Sequence, residues 1–163
     1  MAPYLSKLCE RLKTSMIEDY RPTTLKVTSD GGSVTSREAV SLGLIVTELI
    51  LNALKHAFPD DKRADRQIAV GFDVAGTNWR LSVADNGIGA PVGAFAQAKS
   101  GLGTSIVNAL AQQLEARVDV LSGAQGTTVS VTHATFAKTQ DSIRTEVLTQ
   151  PSTHGHACTV WGL

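Results

Sequence analysis

Residues 42–59 read Leu42-Gly-Leu-Ile-Val-Thr-Glu-Leu-Ile-Leu-Asn-Ala-Leu-Lys-His-Ala-Phe-Pro59, and the rest of the chain is read outward from them. With Val40 just upstream, their apolar residues run nearly all round a helix, and such a helix is buried on most of its faces. Thr35-Ser36-Arg37-Glu38 forms a capping box, in which hydroxyl and carboxylate satisfy the first orphan backbone N–H groups. A helix is therefore expected from Thr35 to Ala57, closed by Pro59. Glu48, Asn52, Lys55 and His56 interrupt it. At about 3.6 residues per turn, Glu48, Asn52 and either Lys55 or His56 share one stripe. An unpaired carboxylate or cation is costly to bury, so the stripe faces partners or a solvent-filled cleft. The end of an amphipathic helix with an i,i+4 pair would satisfy the same pattern, although asparagine in mid-helix is unfavourable by propensity.

Upstream, Pro3 suits a first helical position, and Leu5, Leu8, Cys9, Leu12 and Met16 keep helical spacing to about Tyr20, before Arg21-Pro22. Leu25 to Ser29 alternates as a short strand, and Asp30-Gly31-Gly32 is a turn. Downstream, Ile68, Val70, Phe72 and Val74 alternate with polar or small residues, Ala75-Gly76-Thr77-Asn78 turns, and Trp79, Leu81 and Val83 return. This is an antiparallel hairpin with one face on a core. It ends at Asp85-Asn86-Gly87-Ile88-Gly89 with no immediate return strand. Residues 90–100 read as a mobile loop, and Gly101-Leu102-Gly103-Thr104 opens a third helix carrying Ile106, Val107, Leu110, Ala111 and Leu114. A last hairpin runs Arg117 to Leu121, turns at residues 122–126, and returns from Thr127 to Ala134. After the first helix the order β-α-β-β-α-β-β implies a two-layer α/β sandwich with a mixed, mostly antiparallel sheet. Periodicity fades beyond Ala137, so residues 1–136 are expected to form the domain and 137–163 a flexible tail.

Composition bounds the function. The chain has 163 residues, 42% hydrophobic and 18% charged, which excludes a disordered chain. Lysine plus arginine and aspartate plus glutamate number 15 each, which argues against a general nucleic-acid or anionic-membrane binder. Cys9 and Cys158 are too few and too far apart for a disulfide framework or zinc site. No apolar run is expected to reach the ~20 residues that span a bilayer, and no charged-then-apolar leader opens the chain. A soluble, cytoplasmic, single domain is expected.

The glycine-bearing turns have ordinary readings one by one. Asn-Gly suits positive φ, Gln125-Gly126-Thr127 is a common turn, and Gly101-Leu102-Gly103 stands at a helix N-terminus, where free N–H groups attract phosphate. Together they are more specific. A Glu-x3-Asn helix stripe, then Asp-x-Gly-x-Gly, then Gly-x-Gly before a helix, then Gly-Thr entering a strand resembles the GHKL ATPase superfamily. That superfamily includes sensor histidine kinases, type II topoisomerase ATPase domains and mismatch-repair ATPases. Residues 42–59 resemble the N box of bacterial histidine kinases of the HisKA_2/HWE type, and Tyr4-Leu-Ser-Lys-Leu resembles the start of their catalytic region. The resemblance covers roughly residues 4–136 and implies the Bergerat ATP-binding fold.

The resemblance also implies roles. Asn52 falls where the family's asparagine holds Mg²⁺ bridging the nucleotide phosphates; one amide oxygen suffices for an ion that keeps water and phosphate oxygens. Glu48 matches the N-box acid that orients or deprotonates the attacking nucleophile. Lys55 and His56 match positions that approach the phosphates. Asp85 would accept the adenine amino group, with Gly87 and Gly89 letting backbone lie close to base and sugar. Gly101, Leu102, Gly103 and Thr104 correspond to the glycine box that closes over the phosphates, residues 90–100 to the ATP lid, and Gly126 and Thr127 to the last glycine box, with Thr127 supporting Asp85.

There are departures. The lid is short, with Phe95 its one aromatic candidate, and Thr104 stands where an apolar residue is common. No helical hairpin with an acceptor histidine precedes the domain; His133 reads as a strand surface residue, and His154 and His156 lie in the tail, where His154-Gly155-His156-Ala157-Cys158 is a weak metal pattern. The expected function is an ATP- and Mg²⁺-dependent protein-histidine kinase domain. Its partners would be a histidine-bearing helical dimerisation module, in a longer chain or in trans, and downstream a response regulator, without nucleic acid or membrane contact. The alternatives are an anti-sigma-type serine/threonine kinase, or a docking module gated by nucleotide or free of it; Lys55-His56-Ala57-Phe58-Pro59 looks more like the histidine-kinase version.

Overall fold

The computed structural model describes residues 1–17, 23–59, 65–89 and 102–134. Five strands form one sheet in the order β1-β2-β3-β5-β4. They are β1 (Thr24–Ser29), β2 (Gln67–Ala75), β3 (Asn78–Asp85), β4 (Arg117–Gly123) and β5 (Gly126–His133). β1 runs parallel to β2, and the other neighbours are antiparallel. The parallel pair exists because a helix, α2 (Ser36–His56), crosses between its strands, as a parallel connection requires. Two more helices among the described residues, α1 (Ala2–Leu12) and α3 (Leu102–Gln113), share the helical layer.

Register places the core. Val27, Val70, Val83, Val129 and Val120 form one row across the sheet, and Ser29, Phe72, Leu81, Val131 and Val118 the next. Against these rows lie Leu42, Ile45, Val46, Leu49 and Ile50 of α2, with Leu5 and Cys9 of α1 and Val107 and Ala111 of α3, all buried. The opposite face is made of small and polar residues such as Ala69, Gly71, Ser82, Ala84, Thr128 and Ser130. This is the two-layer sandwich expected.

α2 begins as its capping box predicts. The Thr35 hydroxyl accepts from Glu38 N–H at 3.3 Å, and the Glu38 carboxylate accepts from Thr35 N–H at 2.7 Å. The body of α2 is buried or half-buried on most of its faces, as expected; Val40 and Leu44, 59% and 49% exposed, mark the one side turned away from the sheet. One expectation about α2 is corrected. At 21 residues it is long and apolar enough to cross a membrane by length and composition, contrary to the expectation that no run reaches that length. Its apolar face is the domain's core, covered by the sheet.

Other boundaries moved as well. The first helix was expected to reach Tyr20, but α1 ends at Leu12 and a π-helical segment, Lys13–Ile17, follows. Thr14 and Ser15 there donate back to the carbonyls of Glu10 and Arg11 at 3.1 and 2.8 Å, local bonds that compete with regular helix. Tyr20 and Arg21-Pro22 lie outside the described residues. The last turn is tighter than the expected residues 122–126, since Ser122 pairs with Thr127 and Gly123 with Gly126. His133 is not an open surface residue. Its ring stacks on Trp79, with centroids 5.7 Å apart, and its Nδ1 bonds the Leu114 carbonyl at 3.1 Å.

Candidate functional site

Two clusters of the expected site residues meet the same helix. The first forms where β3 leaves the sheet. Asp85 shares a row with Ile68, so its side chain points toward the helical layer. Its Oδ1 accepts from the Gly87 N–H at 2.9 Å and from the Thr127 N–H at 3.2 Å. Both bonds go to one oxygen, and among the described residues Oδ2 takes none. Gly126 must be glycine here: its φ is +119°, and a Cβ would collide with the Asp85 carbonyl. Thr127 is fixed in turn, its hydroxyl 2.9 Å from the Ser122 hydroxyl. Gly89 backs onto the Gly123 carbonyl, so the loop after Asp85 rests on the β4–β5 turn.

The second cluster lies where α3 begins against α2. A Cβ on Gly103 would stand 2.6 Å from Glu48 Oε2 and 3.7 Å from both amide atoms of Asn52. The α3 N-terminus therefore lies against the polar stripe of α2, and the helix dipole favours an anion there. Glu48 and Asn52 are half-buried, as is Thr104 in the first turn of α3. Lys55 and His56 occupy the last turn of α2, exposed to solvent. Gly101, the lid segment 90–100 with Phe95, His154, His156 and Cys158 lie outside the described residues; Leu102 begins α3.

The clusters are coupled through α2. The Ile88 N–H donates to the Ala57 carbonyl at the C-terminal end of α2, at 3.0 Å. Ala57 lies a turn and a half beyond Asn52, about 7.5 Å along the axis. A carboxylate with one free oxygen thus stands beyond one end of that interval, and an amide beside a helix N-terminus stands at the other. Chemically, a carboxylate oxygen can accept hydrogen bonds from an amine, and a helix N-terminus beside an amide attracts an anion. No group of three or more His, Cys, Asp or Glu side chains gathers to hold a metal among the described residues. A lone amide beside an anion-binding helix end fits Mg²⁺, which is held by few protein ligands together with phosphates and water.

Two residues of this arrangement were not expected. Asn86 stood as the free position of Asp-x-Gly and Ser122 as part of a turn; Asn86 is bonded to the start of β2 and Ser122 to Thr127. Asn-Gly at a strand end signals a turn, and only tertiary structure shows what the amide holds.

Comparison with known proteins assigns this two-layer domain to its class. Residues 37–137 match the family described as histidine kinase-, DNA gyrase B- and HSP90-like ATPase, and the chain belongs to that family. It is 31% identical over 132 residues to blue-light-activated histidine kinase 2 of Erythrobacter litoralis, covering 80% of this chain and 37% of the relative. It is also 31% identical over 90 residues to sensor histidine kinase PdtaS of Mycobacterium tuberculosis, covering 55% of this chain and 18% of that protein. Among solved structures, the histidine kinase domain of the Erythrobacter litoralis EL346 blue-light-activated kinase superposes with a TM-score of 0.69 at 30% identity, covering 80% of this chain and 59% of that one. The mycobacterial sensor kinase MprB shares the fold, with a TM-score of 0.58 at 18% identity, and 92% of its chain is covered. The chain is thus a histidine-kinase-type ATPase domain, and it spans well under half the length of the curated relatives it matches.

Proposed function

We propose that this domain binds Mg-ATP between its two clusters and transfers the γ-phosphoryl group to a histidine on a separate helical module. The observation that carries the reading is the packing of Gly103 on Glu48 and Asn52, coupled through α2 to an aspartate with one free oxygen. Asp85 would accept the adenine amino group through Oδ2, its other oxygen being held by Gly87 and Thr127. Asn52 would contribute its amide oxygen to Mg²⁺, which when bound neutralises charge on the phosphates. Glu48 would accept the N–H of the incoming imidazole, turning the other ring nitrogen's lone pair toward phosphorus. The new N–P bond then forms as the bond to the ADP oxygen breaks. Lys55 and His56, exposed beyond Asn52, would meet the phosphate charge from the open side.

The named relatives are histidine kinases, which sets this acceptor ahead of serine or threonine. The acceptor module, a dimer built through it, a downstream response regulator and a cytoplasmic setting complete the proposal. The ATP-binding unit is assigned to residues 1–136, since the sheet closes with β5 at His133. Calorimetric titration with a non-hydrolysable ATP analogue tests the reading, with Mg²⁺ or EDTA and on the Asn52→Ala variant. Mg²⁺-dependent binding that the variant loses is the expected result. Unchanged binding by the variant removes Asn52 from the site, and no binding under any condition leaves a protein-docking domain.

A further inference from the structure

We propose that Asn86 is a positioning residue for base recognition, its side-chain amide locking the Asp85 loop to the segment packed on the end of α2. The proposal deepens the ATP reading above and rests on it. Three hydrogen bonds carry it. The Asn86 N–H donates to the Gln67 carbonyl at 3.2 Å. The Gln67 N–H donates to Asn86 Oδ1 at 2.8 Å, and Asn86 Nδ2 donates to the Asp65 carbonyl at 2.7 Å.

The β2–β3 ladder is regular through Ile68↔Asp85, and its next partners would be Gln67 and Asn86. A regular pair there would return the Gln67 N–H to the backbone carbonyl of Asn86. Instead the side-chain amide oxygen takes that N–H, so the chain leaves the sheet immediately after Asp85 without stranding a donor. The departure brings the Gly87 N–H onto Asp85 Oδ1. The far side of the amide holds residue 65, next to Arg66, whose guanidinium lies over the Phe58 ring, 5.6 Å from its centroid. Phe58 directly follows the C-cap of α2. Asn86 therefore joins the aspartate of the first cluster to the end of the helix that carries Asn52 in the second, and its amide needs both functions: the oxygen as acceptor and the NH₂ as donor.

The test compares Asn86→Ala and Asn86→Asp with the parent and with Asp85→Asn. Each is titrated with Mg-ATP analogue and with Mg²⁺-inosine triphosphate, which lacks the amino group, well below the unfolding midpoint. The expected result for Asn86→Ala is a roughly tenfold fall in the preference for the adenine nucleotide, with inosine triphosphate affinity unchanged. Asn86→Asp keeps the acceptor for Gln67 and loses the donor to Asp65, so it recovers part of the preference. An unchanged preference in Asn86→Ala overturns the proposal, as does an equal loss of both nucleotides. Should Asn86→Ala fail to fold, Asn86→Asp decides by the same two criteria. Asp85→Asn binding the ATP analogue as the parent does would instead overturn the base-recognition reading itself, so the two failures are distinguishable.

Discussion

Gly103 at the start of α3 lies against Glu48 of α2, so closely that a methyl group there would stand 2.6 Å from Oε2. The obstructing atom is the far end of a flexible side chain, and alanine is a better helix former than glycine. Gly103→Ala is therefore expected to fold with stability within about 1 kcal/mol of the parent. The carboxylate must move, and displacements near 1 Å at reacting groups can cost about 100-fold. Phosphoryl transfer to the acceptor module should fall at least tenfold (about 1.4 kcal/mol of barrier) while the melting temperature barely shifts. Full transfer by a well-folded variant would remove Glu48 from the nucleophile's path.

Asp85→Asn separates the structural duty of this side chain from its binding duty. Oδ1 can still accept from Gly87 and Thr127, so the loop should keep its shape. The other position then presents an NH₂ to the adenine amino group, donor against donor. Affinity for Mg-ATP is expected to fall at least tenfold with an unchanged melting temperature, as read by titration beside thermal unfolding.

The capping box gives a pH signature. The Glu38 carboxyl is held below its ordinary value chiefly by the Thr35 N–H, with the Thr35 hydroxyl adding to it. A carboxyl lowered by folding stabilises the native state above its unfolded value, and that contribution fades as pH falls through the folded one. Glu38→Gln should therefore melt below the parent at neutral pH, and the gap should close as the pH falls below the ordinary carboxyl range. Thr35→Ala should cost about 1 kcal/mol at neutral pH, because the N-cap acceptor for the Glu38 N–H is gone.

Cys9 titrates in the opposite sense. Burial in the core pushes its thiol up to about 11. An unfolded thiol ionises near about 8.5, so stability attributable to Cys9 is complete below that value and is lost as pH rises through the folded one. Peptide-resolved mass spectrometry should find Cys9 unalkylated in the folded domain at pH 8 and modified after denaturation. Modification without unfolding would show that the α1–sheet contact opens.

Much of this was legible in the chain because each signal was local. The period of α2, its Thr35–Glu38 box and the alternation of β2 and β3 are decided by neighbours within a few residues. Glu48 and Asn52 could be placed on one stripe by helical spacing alone. What could not be read depends on partners distant in sequence: the 42-residue reach from Thr127 to Asp85, the direction of β1 beside β2, and the outward turn of Val40 and Leu44. Asn86 escaped for the same reason, since its amide is satisfied across a strand boundary.

The placement of α2 has a consequence for how the domain is made. Its apolar face is covered chiefly by α3, β3 and β2, all of which follow it in the chain. Synthesis therefore exposes a 21-residue helix of membrane-like composition before the strands that shield it exist. At about 5–20 residues per second, several seconds pass before the sheet can close over it. During that interval a chaperone or the insertion machinery competes with folding for the same surface, so slowed translation just after residue 59 should raise mistargeting and aggregation more than slowing after residue 134.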